Sequence, residues 1–279
     1  MVEEVEKTLT AEEAAKEMEK IVETKEEEKA QKEKLRIIEE LEKAEKKGEK
    51  ITGEKVARDY AKEDAQAALE RWVPKTELGR LVRAGKIKNI DEILDRGMRI
   101  LEPEIVDSLM VLNTEMMNTG QAKGKFGGGK RRSWRQTQKK TQEGNVITFS
   151  AMAIVGDGNG HVGIGFGRAA ETLPAKEKAI KKAKISIMKV KRGCASYDCS
   201  CDEPHSIPFE VSGKCSSVKL IFKPAPQGTG LVVGDEIKRI LRLAGIKDVY
   251  GKSFGKTCTT INVAKACVDA LTKLGEFKE

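Results

Sequence analysis

The sequence predicts an α+β protein, and three observations carry that reading. A β-rich, mostly apolar run, Phe149 to Val155, and a second from His161 to Gly167 flank the turn Asp157-Gly158-Asn159-Gly160, and a lysine-rich helix follows. The carboxy-terminal stretch alternates strand and helix patterns as βαβα. Residues 1–66 are dominated by Glu, Lys and Ala and read as an acidic, helical or flexible arm. The organisation predicted is this arm, a short helical segment 67–108, a sheet-and-helix domain 109–223, and a βαβα domain 224–279.

In the arm, Thr10 and Glu13 are spaced as a capping box ahead of Ala11, Ala14, Ala15, Met18, Ile21 and Val22. Leu35, Ile38 and Leu41 form a second narrow stripe. No heptad persists over four repeats, which argues against a long coiled coil. Composition shifts at Arg71-Trp72-Val73-Pro74. Leu78, Leu81 and Val82 make an amphipathic turn closed by Gly85, Asp91 is placed to cap a helix ending at Gly97, and Pro103 suits the first turn of another through Ser108. Leu109 to Met117 reads as a strand.

Thr119 to Asn145 reads as a long basic loop. It carries Lys123, Lys125, Lys130, Arg131, Arg132, Arg135, Lys139 and Lys140 against the single acid Glu143, with too little apolar content to pack on itself. Trp134 among the arginines offers a face for a base. In the hairpin that follows, Gly158 and Gly160 suit a turn with positive φ. Gly163, Gly165 and Gly167 alternate with Val162, Ile164 and Phe166, so one strand face has no side chains. Another backbone, or a nucleic-acid strand, can approach such a face closely. Arg168 then leads into a helix bearing Lys176, Lys178, Lys181, Lys182 and Lys184, and its amino terminus favours a phosphate.

The connector 192–208 holds Cys194-x4-Cys199-x-Cys201-x3-His205, four soft ligands within twelve residues, which suits a structural zinc; buried, inert thiols are the bland alternative. Strand-like segments follow at Phe209 to Val211 and Ser217 to Phe222. Pro224 to Gly230 reads as a hinge. Beyond it come a strand at Leu231 to Val233, a helix with Ile237, Ile240 and Leu241, a strand around Val249, and a helix from Asn262.

The formal charge is +8, but its distribution says more. Residues 1–66 carry a net −6 and the remainder a net +14, and a basic body behind an acidic arm points to nucleic acid. No apolar run reaches a membrane-spanning length, and the amino terminus lacks the regions of a signal peptide, so a cytoplasmic protein without disulfides is expected. Gly165-Phe-Gly167-Arg-Ala-Ala170 follows an antiparallel hairpin and lacks the acidic partner of a dinucleotide site. Gly251-Lys252-Ser253 and Gly255-Lys256-Thr257 each miss the first glycine of a P-loop, which leaves Lys252 and Lys256 as phosphate contacts on a basic turn. With two histidines, and neither GxSxG nor HExxH, catalysis has little support.

The string Val155-Gly-Asp-Gly-Asn-Gly-His-Val-Gly-Ile-Gly-Phe-Gly-Arg-Ala, the segments Arg192-Gly-Cys and Pro204-His-Ser-Ile-Pro, Pro224-Ala-Pro-Gln-Gly-Thr-Gly-Leu, and Leu243-Ala-Gly-Ile-Lys-Asp-Val resemble the small-subunit ribosomal protein five family in its archaeal form. The resemblance runs in order from about Trp72 to Leu274. It implies a domain similar to a double-stranded-RNA-binding domain, then a βαβα domain of a kind shared with some kinases and translocases. It also implies small-subunit rRNA as ligand, proteins four and eight as neighbours, a place at the mRNA entrance, a part in subunit assembly, an influence on decoding accuracy, and no required cofactor. The basic loop matches Thr119 to Asn145 but is longer here and richer in Gly and Gln. The Cys/His set also looks like the archaeal form. Two other functions are weighed: a kinase-like phosphotransferase, and an RNA-binding regulator outside the ribosome.

Overall fold

The computed structural model describes residues 69–121, 131–195, 197–199, 201 and 203–276. The chain divides into two compact units, Met1–Arg71 and Trp72–Glu279. The capping box and stripes expected in the arm lie outside the described residues.

Three short helices open the second unit: α1 (Glu77–Arg83), α2 (Ile90–Asp95) and α3 (Pro103–Leu109). The Thr76 hydroxyl accepts from the Gly79 amide at 3.1 Å and caps α1, while Pro103 sits in the first turn of α3, where its missing N–H costs nothing. Val82, Ile87, Ile90, Ile93, Ile105 and Val106 form a small core that Ile187 joins. The Glu102 carboxylate gathers the entering chain by accepting from the Trp72 indole at 2.8 Å and the Thr76 amide at 2.6 Å. Asp91 is not the expected cap, because Asn89 occupies that position. Asp91 lies in the first turn of α2 and accepts from Lys189 Nζ at 2.9 Å and meets His161 Nε2 at 3.1 Å.

The first sheet contains β1 (Asn113–Met116), β2 (Trp134–Thr141), β3 (Gly144–Gly156), β4 (His161–Ala169) and β5 (Ile187–Lys189), all antiparallel, with α4 (Thr172–Ile185) crossing between β4 and β5. Strand order is β1-β3-β4-β5, and β2 pairs with β3. The turn between β3 and β4 is held by Asp157, whose Oδ1 accepts from the Asn159 amide at 2.7 Å and the His161 amide at 3.0 Å. Gly158 and Gly160 take the positive φ values of +76° and +110° that this turn requires.

Leu109 to Met117 is only partly strand, since Leu109 ends α3. The larger difference concerns Thr119 to Asn145, expected as loop throughout. Trp134–Thr141 is a strand in register with β3, Trp134 opposite Ala151 and Thr141 opposite Gly144. Polar side chains hid it, because backbone pairing rather than burial holds this strand.

The second sheet has the order β6-β7-β9-β8, from β6 (Val211–Cys215), β7 (Val218–Pro224), β8 (Leu231–Val232) and β9 (Val249–Phe254), with β8 parallel to β9. Helices α5 (Asp235–Leu243) and α6 (Thr260–Glu276) complete it. The expected βαβα order from Leu231 is present, but β6 and β7 belong to the same sheet, so a boundary at 224 cuts through it and Pro224 to Gly230 links two of its strands. Val211, Val218, Leu220, Phe222 and Val249 share one core with Ile237, Ile240, Leu241, Ala266 and Leu271 of the helices. Met152, Ile154 and Val162 of the first sheet join the same core, and the Gly158 amide donates to the Leu243 carbonyl at 2.9 Å.

Candidate nucleic-acid interface and metal centre

The glycine row is not open to nucleic acid. Gly163, Gly165 and Gly167 are buried, and a Cβ at any of them would collide with the carbonyl oxygens of Ala183, Ala179 and Ala175 on α4. The match is geometric. Two residues of strand advance about 6.6 Å and four residues of helix about 6 Å, so three glycines at i, i+2, i+4 stay in phase with three alanines at i, i+4, i+8. The close approach foreseen for this face is made by the protein's own helix. Gly160 is likewise buried, and its carbonyl accepts from the Val190 amide at 2.7 Å. Gly158 is half-buried at the turn that meets Leu243.

Basic side chains collect instead on the β2–β3 ribbon. Among the described residues, the stretch of β3 before Phe149 pairs with β2 alone, since the pairing with β4 starts at Phe149 opposite Ala169. Register places Arg135 opposite Ser150 and Ser150 opposite Arg168, so two residues 33 positions apart in sequence share one face. The Arg168 guanidinium donates to Thr148 Oγ1 at 2.8 Å, and Lys139 extends the same face two residues beyond Thr137. Arg131, Arg132, Arg135, Lys139, Lys140 and Arg168 are all exposed. Trp134 is less available for a base than expected: Arg132 lies 4.9 Å over its ring and Phe149 meets it edge-on at 5.4 Å.

Val146 and Ile147 on the outer ribbon are 47% and 40% exposed, which is unusual for β-branched residues on a two-stranded element that is marginal alone. Lys123, Lys125 and Lys130 lie outside the described residues. Lys176 is half-buried on α4, and Lys184 of the same helix is taken up by Asp107 at 2.7 Å. Lys252 is on β9 and Lys256 in the turn after it; both are exposed and far in sequence from the ribbon.

Cys194, Cys199, Cys201 and His205 do come together, with their ligand atoms all within 4.8 Å of one another. Cys199 Sγ lies 2.9 Å from Cys201 Sγ and 3.5 Å from His205 Nε2, and Cys201 Sγ is 3.5 Å from Cys194 Sγ. A tetrahedral ion with Zn–S near 2.3 Å and Zn–N near 2.0 Å needs S–S separations of about 3.8 Å and S–N separations of about 3.5 Å. The Cys199–His205 and Cys194–Cys201 distances therefore suit zinc, while Cys199 and Cys201 would have to part by about 0.9 Å. The Cys201 side chain and then the Gln227 amide bring the Cys199 thiol down to about 6, while the same contact pushes Cys201 up to about 12.

A second layer, invisible in the spacing, orients the histidine. His205 is 1% exposed, and its Nδ1 meets Asp248 Oδ2 at 2.8 Å, leaving Nε2 toward the sulfurs. Asp248 Oδ1 also accepts from the Gly230 amide at 2.7 Å, and its carbonyl accepts from Ser206 Oγ at 2.6 Å. Carboxylate partners of this kind fix ring orientation in histidine–metal sites. Asp248, between Lys247 and Val249 at the start of β9, carries no mark in the sequence that links it to the cysteines.

Residues 130–191 match the family model described as ribosomal protein S5, N-terminal domain, and residues 213–279 match that for the S5 C-terminal domain. The chain is 54% identical over 211 residues to a small ribosomal subunit protein uS5 of Nanoarchaeum equitans, covering 75% of this chain and 90% of that protein. It is 47% identical to the protein of that name from Staphylothermus marinus over 75% and 92% of the two chains, and 46% identical to that of Picrophilus torridus over 75% and 88%. Two domain matches in the observed order, with identities of this size over nearly whole relatives, make the chain a member of the ribosomal protein S5 family.

Proposed function

We propose that this protein is a structural, non-enzymatic constituent of the small ribosomal subunit, working in the cytoplasm, and that it grips small-subunit rRNA chiefly through the β2–β3 ribbon. Family membership supports the first part. The single observation that carries the second is the row Arg135, Ser150, Arg168, a basic face formed only by folding. Phosphates docked there would be held by Arg135, Lys139 and Arg168, with Lys123, Lys125, Lys130, Arg131, Arg132 and Lys140 adding to the same loop-and-ribbon segment. Lys176, Lys252 and Lys256 are proposed as outlying phosphate contacts. The family resemblance extends the reading to neighbouring proteins four and eight, to the mRNA entrance, to subunit assembly and to decoding accuracy. Neither a phosphotransferase nor a free RNA-binding regulator finds support beside it.

The cysteine cluster is proposed to hold a structural zinc, which when bound cross-links the connector 192–208. Asp248, hydrogen-bonded to the Gly230 amide, then ties that cross-link to the second sheet. Sedimentation with salt-washed small subunits tests the main proposal. The chain should travel with the subunit at moderate salt, and a chain that stays at the top of the gradient contradicts it. For the metal, purified protein should carry about one zinc, lost in Cys194→Ser.

A further inference from the structure

We infer that the second sheet's open face is a separate binding site for single-stranded RNA. The inference rests on the reading of this chain as an RNA-binding protein but concerns a surface on the other sheet. Helices α5 and α6 pack on one face of β6-β7-β9, through Val211, Val218, Leu220, Phe222 and Val249. The residues between these point the other way. Register puts Lys219 opposite Phe254, Lys223 opposite Tyr250, and Lys252 opposite Ile221 between them. Lys214 on β6 lies directly opposite Lys219.

Tyr250 and Phe254 are 43% and 46% exposed, and all four lysines are exposed. Among the described residues, one ion pair is made on this face, Lys223 with Glu210 at 3.3 Å. Lys214 and Lys219 face each other as like charges, an arrangement that an anion relieves. Two aromatic rings on one strand, four residues and about 13 Å apart, each beside a lysine, are spaced for two splayed bases with the backbone passing over the lysines. A duplex keeps its bases stacked inside and would use only the lysines, so the aromatics select a single strand. A protein partner fits this face less well, because its centre is lysine, a residue depleted at protein interfaces.

The test uses the full chain and two probes, a ten-nucleotide oligouridine and an RNA hairpin duplex, with Tyr250→Ala/Phe254→Ala and with Arg135→Ala/Lys139→Ala/Arg168→Ala. The aromatic pair variant should lose about tenfold or more in oligouridine affinity and keep its hairpin affinity. The ribbon variant should show the reverse. Oligouridine binding unchanged by the aromatic substitutions, or absent from the wild-type chain, overturns this inference and leaves the ribbon proposal standing. Hairpin binding unchanged in the ribbon variant overturns that proposal and leaves this one standing. Photo-crosslinking of a 4-thiouridine oligomer to wild-type protein gives a readout independent of variant folding. Crosslinks should map to β9, and crosslinks confined to other segments overturn the inference, as does loss of a ribosomal protein, rather than RNA, from particles carrying the aromatic variant.

Discussion

At the scale of single residues, Gly165 and Asp248 have consequences out of proportion to their size. A methyl group at 165 meets backbone on α4 that cannot give way as a flexible side chain can. Gly165→Ala should therefore cost about 3 kcal/mol in urea unfolding, the upper end of overpacking losses. Its effect on RNA affinity should vanish wherever the variant is folded; a stable variant with weakened RNA binding would return the glycine row to the interface. Asp248→Asn keeps the shape but weakens the acceptor that orients His205. Zinc affinity should fall about 10–100-fold, measured by chelator competition, with Cys199→Ser as the control for outright ligand loss. Asp157 is the third such residue. Burial works against its carboxylate, but hydrogen bonds from the Asn159 amide and from His161 hold its pKa below the ordinary value. A carboxylate lowered by folding stabilises above its unfolded pKa of about 3.9 and ceases to as pH falls through the folded value. Asp157→Asn should cost about 1–3 kcal/mol at pH 6 and distinctly less at pH 3, and equal losses at both would remove the charge from the explanation.

At the scale of elements, legibility followed the kind of force involved. Pro103, Gly85 and the β3–β4 turn announce themselves because each residue type has its own backbone preference. Helix α4 is likewise plain, since its alanines and lysines favour a helix and the strand before it is unmistakable. Strand β2 was hidden: Arg135-Gln-Thr-Gln-Lys-Lys-Thr141 lacks an apolar alternation, and only its partner on β3 makes it a strand. The glycine row was half legible, as the sequence states that something approaches closely without saying whether it is helix or RNA. Four metal ligands could be read from their spacing, whereas Asp248, 43 residues from His205, could not. The ribbon's exposed Val146 and Ile147 make a further prediction at this scale. In free protein, amides of residues 144–148 should exchange with deuterium far faster than those of Ala151 to Val155, and should be protected on binding small subunits. Equal protection in the free and bound states contradicts a docked ribbon.

At the scale of the whole molecule, the two sheets share one core, from Met152 and Ile154 to Ile240 and Leu271. The basic ribbon and the lysine-aromatic face are therefore carried on a common scaffold and presented at fixed separation. Charge alone argued for nucleic acid, but the alignment of Arg135 with Arg168 depends on strand register, which composition does not contain. This folded row, with its neighbours, is proposed to neutralise rRNA phosphates. The most direct measurement is log K against log salt for a small-subunit rRNA fragment, comparing wild type with Arg135→Ala/Lys139→Ala/Arg168→Ala. Each phosphate contact contributes about −0.7 to −0.9 to the slope, so the variant should be shallower by about 2 to 3. An identical slope and affinity would mean that the row touches no phosphate.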